Sequence, residues 1–448
     1  MSKKVSIFQS EEGKSYLIPF ILVTSLFFLW GFAHSLLDVL NKHFQDILHV
    51  SKAQSGLVQA AVYGGYFLMA IPAGMFMKRF GYKKGIILGL LLYAFGAFLF
   101  VPAVHIQQFW AFLTALFIIA LGLTCLETAA NPYSTVLGPK DSSAQRLTLS
   151  QSFNGVGWIM GPFVGSLVLF GATDPNADPF ASLAIPYVGI GVVVLLLAIF
   201  FTQVKLPEIN EAVAEHVEFT ESEEVDAAVA YKSIFQYKHF VFAVFAQFFY
   251  VAAQTGINSF FINYVFDLFK SMETKTVIGN DFLISVLHLI GNSSPLNDNL
   301  YKTAAGLILA FCGMGLFTIG RFAGSAMLVW FKPNKLLTLF ALLCMILTGF
   351  VIAGLGAISI IALCLIYFFM SIMFPVIFAL GLRNLGSHTK RASSFLVMAI
   401  VGGAIFPAFM GYIADISSMQ IGFFVPLCCF FIVFLFGYKG YKIKGVKA

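Results

Sequence analysis

The chain has 448 residues, 59% of them hydrophobic and 11% charged, against roughly 25% charged in an ordinary soluble domain. That much apolar surface cannot face water, which excludes a soluble globular domain and makes a lipid bilayer the partner that covers it. The formal net charge of +6 would suggest an anionic partner in a soluble protein, but the Lys and Arg are distributed here as loop charges, and no nucleic-acid reading is needed.

A short polar tail precedes an apolar run from Leu17 to about Leu40. The run exceeds the roughly 7–15-residue core of a cleaved signal peptide, so it is expected to stay as the first spanning helix. Continuing along the chain for runs of about 20 mostly apolar residues predicts an all-α membrane protein of twelve spans. They fall at 17–40, 54–77, 84–103, 108–137, 146–170, 182–203, 238–266, 303–330, 336–355, 358–382, 392–415 and 420–438. The fourth and eighth are long enough to imply tilt or a bend. The six cysteines, at 125, 312, 344, 364, 428 and 429, lie in apolar stretches without metal or disulfide spacing and are expected to be buried and reduced.

Lys and Arg collect on the cytoplasmic side of a membrane. Lys78, Arg79, Lys83 and Lys84 lie between spans two and three, Lys140 and Arg146 between four and five, Lys332 and Lys335 between eight and nine, and Arg383, Lys390 and Arg391 between ten and eleven. Both tails are basic, while the opposite loops hold only Lys42, Lys52, Lys270, Lys275 and Lys302. Both termini are therefore expected to be cytoplasmic, in the inner membrane of a bacterial cell. Residues 204–236 are rich in Glu, from Glu208 to Glu224, and read as a solvated linker between a six-helix bundle at 1–203 and another at 237–448. A polar insertion at 267–302 falls on the outer side and carries no readable role.

The two halves repeat one another. AANPYSTVLG, Arg146 and SQSFNGVGWIMGPFVG around spans four and five are echoed by IMFPVIFALG, Lys390–Arg391 and SSFLVMAIVGGAIFPAFMG around spans ten and eleven. Parallel six-helix repeats ending at the same face are the architecture of the major facilitator fold, in which the substrate sits between halves near the bilayer midplane. Gly74 to Lys84 resembles that superfamily's gating loop through Gly74, Arg79, Gly81 and Lys83, with Lys78 where an acidic residue usually stands.

A charged side chain at the centre of a spanning helix costs at least about 2.5–3.5 kcal/mol on insertion scales, so each one requires a reason. Glu127 lies midway along the fourth span with Asn131 at i+4; Asp38 has His34 at i−4 and Asn41 at i+3. Apolar surroundings disfavour the charged form of a carboxyl group, so such residues suit the uptake and release of a proton. Amides and a phenol line up on other helices: Gln247, Tyr250, Gln254 and Asn258 in the seventh span, Gln151 and Asn154 in the fifth. Hydroxyl-rich solutes need donors and acceptors in numbers. The competing use of these side chains is to hold helices together.

LFFLWGFAHSLLDVLNKHFQ, GLTCLETAANPYSTVLGP, LSQSFNGVG and GLRNLGSHTKRASSFLVMAIVGGAI resemble the fucose–galactose–hexuronate-type sugar:cation symporters of the major facilitator superfamily, over nearly the whole chain. The resemblance implies that Asp38 and Glu127 serve proton coupling and sugar recognition, with Gln151 and Asn154 in the sugar site. It implies a monosaccharide substrate, L-fucose first, then galactose, glucose or an N-acetylated hexosamine, carried with a proton by a monomer. A sodium-coupled or uncoupled transporter is the alternative and a membrane sugar sensor a remote one. No metal constellation, phosphate-binding glycine loop or nucleophile motif stands out, so neither an enzyme nor a cofactor is expected.

Overall fold

The structure, a computed structural model, describes residues 15–137, 143–170, 180–204, 234–274, 298–328, 330–383, 385 and 389–442. Most of the acidic linker (205–233) and of the insertion (275–297) lies outside the described residues, as do Gly138 and Lys140. Lipid offers the backbone no hydrogen-bonding partner, so spanning segments must satisfy their own amides, and helices do so. Twelve helices are long and apolar enough to cross a membrane: α1 (Leu17–Leu48), α2 (Lys52–Met77), α3 (Tyr82–Ile106), α4 (Phe109–Asn131), α5 (Leu149–Phe170), α6 (Leu183–Gln203), α7 (Lys238–Ser271), α8 (Asp298–Met327), α9 (Pro333–Ala353), α10 (Ala357–Gly381), α11 (Phe395–Ile416) and α12 (Met419–Gly440). No β-strand forms among the described residues.

The helices follow the predicted spans closely, with one marked difference. The first was expected to end near Leu40, yet α1 runs on to Leu48. Its polar extension stays helical because Lys42 and Asp46 pair at i,i+4, with Nζ 3.1 Å from Oδ1, while Asn41 and Phe44 are buried. The bend expected of the eighth span takes the form of a π-helical turn at Leu309–Met314, and α11 contains a 3₁₀ turn at Ala399–Val401. Four cysteines are buried as expected. Cys312 and Cys428 are instead exposed on their helices, since an apolar stretch facing lipid accommodates a thiol as readily as an interior does.

The chain forms two compact units, one from residues up to 36, 64–161 and 174–223, the other from 37–63, 162–173 and 224 onward. In the first, α3 packs on α4 and α6. The crossing of α1 and α5 there is close: a Cβ on Gly31 would meet the Asn154 backbone, one on Gly157 the backbone of Phe28 and Phe32, and one on Gly161 the Ser35 hydroxyl. Small residues let helices approach where there is no water to drive them together. Three polar links fasten the same crossing, Thr24 to Ser150 (3.1 Å), Asn154 Nδ2 to the Phe27 carbonyl (3.0 Å) and Ser35 Oγ to the Gly157 carbonyl (3.2 Å).

In the second unit α7 is the central helix, touching α8, α10, α11 and α12. Phe260, Phe261, Ile262, Tyr264 and Val265 of α7 are wholly buried. Both units carry large exposed apolar side chains, including Leu68, Ile71, Ile185 and Leu196 in the first and Ile319, Ile361 and Ile416 in the second. In water such a surface would drive aggregation; in a bilayer it is the face turned to lipid.

Candidate functional site

In the first unit, Glu127 lines a small cleft of about 180 Å³ with Leu26, Phe27, Trp30, Leu126 and Ala130. The helix brings it there because α4 presents Glu127 where α1 presents Trp30, and every other wall residue is aliphatic or aromatic. Glu127 makes no ion pair among the described residues. Trp30 was not distinguished by sequence, where it is one aromatic in an apolar run. The structure gives it an indole N–H that is buried and lacks an acceptor among the described residues, beside the carboxylate.

Next to this cleft is an aromatic group. His34 Nε2 lies 2.9 Å from the Tyr66 hydroxyl, its ring stacks on Trp158 with centroids 5.9 Å apart, and Trp30 meets it edge-on at 6.0 Å. The predicted amides of α5 divide in role. Gln151 Nε2 donates to Asn131 Oδ1 at 3.3 Å, so these two are brought together and both are only half-buried. Asn154 is buried and spends its amide on the Phe27 carbonyl.

In the second unit, Asp38 is 2% exposed and its Oδ2 has no hydrogen-bond partner among the described residues. Asn41, one turn on, donates to the Ser259 carbonyl at 2.5 Å, which seats this end of α1 on α7. Along α7, Gln247 is wholly buried with both amide atoms unpartnered among the described residues, and Asn258 leaves its Oδ1 unpartnered there too. Such orphaned groups are costly in an apolar interior. Gln254 is half-buried on the same helix. Tyr250 is different, since its hydroxyl donates to the Met370 carbonyl at 3.0 Å and ties α7 to α10.

The loop after α2 is built for a structural purpose. Gly81 sits at φ +87°, in the region L side chains avoid, and turns the chain into α3. Lys83 then reaches the last carbonyls of α6, with Nζ 3.0 Å from Thr202 O and 2.8 Å from Val204 O. Cations are favoured at helix C-termini, where carbonyls are unpaired. Arg79 lies over the Phe80 ring at 5.3 Å, and Gly74 has open space around it. Arg146 at the start of the fifth helix is wholly buried, with Nε 3.2 Å from the Ser134 carbonyl, and burial pushes its guanidinium down from its ordinary pKa. A second residue that hydropathy passed over is Arg321 of α8, exposed, with its guanidinium 4.9 Å over Phe317.

Twelve spanning helices holding carboxylates and amides within their spans define a multi-pass membrane transporter. The chain belongs to the Major Facilitator Superfamily, which its residues 23–400 match. It is 38% identical to the L-fucose-proton symporter of Escherichia coli (strain K12) over 443 residues, covering 95% of this chain and 93% of that relative. It is 35% identical to a glucose/galactose transporter of Brucella abortus biovar 1 (strain 9-941) over 436 residues, 97% of each chain. The crystal structure of a Major Facilitator Superfamily transporter, FucP, in the outward conformation superposes with a TM-score of 0.62 at 36% identity, covering 95% of this chain and 99% of that one.

Proposed function

We propose that the protein is a secondary active transporter that imports a monosaccharide, L-fucose first, together with a proton by alternating access. The observation that carries this reading is the pair of carboxylates, Asp38 and Glu127, lodged in spanning helices without an ion-pair partner among the described residues. A permanently ionised carboxylate there is costly, whereas one that binds a proton when exposed to one side and loses it on the other converts that cost into coupling. The name of the Escherichia coli relative, an L-fucose-proton symporter that aligns along nearly the whole chain, supports both the solute and the ion.

The sugar is held by two polar sets. In the first unit, His34, Asn131 and Gln151 offer hydrogen bonds, with Trp158 and Trp30 as ring platforms; Asn154 holds α5 in place. In the second, Gln247, Gln254 and Asn258 supply donors and acceptors, and Tyr250 acts as a strut. Protonation of Glu127 or Asp38 removes a charge from within a spanning helix and permits the half at 1–203 and the half at 237–448, joined by the linker 204–236, to exchange the face to which the sites open. The Lys and Arg distribution supports cytoplasmic termini in a bacterial inner membrane. The working unit is the monomer, a carrier and not an enzyme. A second reading, glucose or galactose as the solute, is favoured by the name of the Brucella relative.

Both readings are tested by recording pH in a dense, weakly buffered suspension of de-energised cells making the protein. Pulses of L-fucose, galactose, glucose and N-acetylglucosamine are given in turn. Alkalinisation after L-fucose, absent from control cells, is expected, and the same response to glucose or galactose alone selects the second reading. Sugar uptake without any pH change, but dependent on added sodium, overturns proton coupling.

A further inference from the structure

The second unit contains more than the C-terminal helices. Residues 37–63 and 162–173, the far ends of α1, α2 and α5, are part of it. These ends meet the end of α7, the start of α8 and the end of α11, and the contacts are polar. Lys302 of α8 is 9% exposed, and its Nζ lies 2.8 Å from Asp46 Oδ2 of α1, the carboxylate that also holds Lys42. Asn263 Nδ2 donates to Gln45 Oε1 at 2.5 Å, and Gln45 Nε2 to Ser55 Oγ at 2.8 Å. Asp415 at the end of α11 accepts from the backbone N–H of Lys52 (3.1 Å) and Ala53 (2.9 Å) at the start of α2. The helices also approach closely: a Cβ on Gly411 would meet the Lys52 carbonyl, and one on Gly306 the Ser166 side chain.

We propose that Asp46 and Lys302, backed by Asp415 on the first turn of α2, are further functional residues of the transport cycle, forming the bolt that holds the outer gate shut. The reading rests on the transport function proposed above, in which this face is the outer one. The chemistry suits a contact that is made and broken. Asp46 is half-buried and Asp415 exposed, so water can take over their partners on separation, and the glycines let the helices close without interlocking side chains that would have to be prised apart. Permanent crossings in the same molecule, such as α1 on α5, are fastened by neutral hydrogen bonds deep in the bundle instead. Beneath the bolt lies Ser259, whose hydroxyl is wholly buried and unpartnered among the described residues.

Ser259→Cys places a thiol in that position with almost no change of volume, and its labelling by a membrane-impermeant maleimide added outside intact cells reports opening, in excess of the signal from the unsubstituted chain. No sugar is present, so the result does not depend on which solute is carried or whether transport is coupled. Lys302→Gln and Asp46→Asn, each combined with Ser259→Cys, are expected to raise the labelling rate at least threefold. Unchanged labelling in both variants overturns the assignment. Should a single variant fail to accumulate in the membrane, Gly411→Val takes its place: it forces the start of α2 off α11 without altering charge, and labelling no faster than the parent overturns the gate.

Discussion

Replacing Glu127 by Gln tests the coupling in its simplest form. The amide has the shape of the carboxylate, the cleft around it is lined by Leu26, Phe27, Trp30, Leu126 and Ala130, and no ion pair with a described residue is lost. Packing should therefore be preserved, and the change in stability is expected to stay within about 0.5 kcal/mol. What disappears is the proton site. One charge crossing a potential of about 100 mV contributes about 2.3 kcal/mol, and about 1.36 kcal/mol corresponds to a factor of ten, so one proton per sugar sustains roughly 50-fold accumulation. In proteoliposomes with a potassium-diffusion potential, negative inside, the parent is expected to approach that ratio for labelled sugar. Glu127→Gln is expected to reach a ratio of about 1 while still exchanging internal for external sugar. Accumulation near 50-fold in the variant would refute the assignment of the coupled proton to Glu127.

Further substitutions separate structural from functional roles. Tyr250→Phe removes only the bond to the Met370 carbonyl and should lower thermal stability by about 1 kcal/mol with KM unchanged within twofold; a KM raised tenfold would bring the phenol into the sugar site. Lys83→Met leaves the carbonyls of Thr202 and Val204 without their cation, and because the side chain is partly exposed the loss is expected to be about 1 kcal/mol, seen as a melting point lowered by a few degrees in detergent. Gly157→Val drives a side chain into the backbone of Phe28 and Phe32; overpacking of about 1–3 kcal/mol or more should abolish the monodisperse peak on size exclusion, and a normal peak would mean that α1 and α5 are not rigidly joined there.

Spanning helices were legible in the sequence because length and apolar content suffice to identify them, and the carboxylates within them were legible because ionisable groups in such helices are rare. What lay beyond reach depended on partners distant along the chain. Lys42, Gln45 and Asp46 read as the start of a loop, yet α1 continues through them because Asn263 and Lys302, more than two hundred residues away, receive their polar groups. Asp415 ends the eleventh predicted span with no sequence mark of a partner, and only the fold sets it on the amides of Lys52 and Ala53. Tyr250 shares a stripe with the amides of α7 and looks like a sugar contact by spacing, but its hydroxyl is engaged by a carbonyl of α10. Trp30 gives no periodic signal, and its interest comes from the carboxylate across the cleft.

The π-helical turn in α8 fixes how that helix is indexed. A widened turn holds one residue more than α-helical geometry needs, so everything beyond Leu309–Met314 is rotated by about 100° relative to a regular helix. Lys302 lies before the turn and Arg321 after it, which means that the angular relation between the two cations is set by a single surplus residue. Deleting one residue from this stretch would restore regular geometry and aim Arg321 at different neighbours, whereas most point substitutions nearby would leave its direction untouched. Along this helix, the residue count is itself an inherited structural parameter.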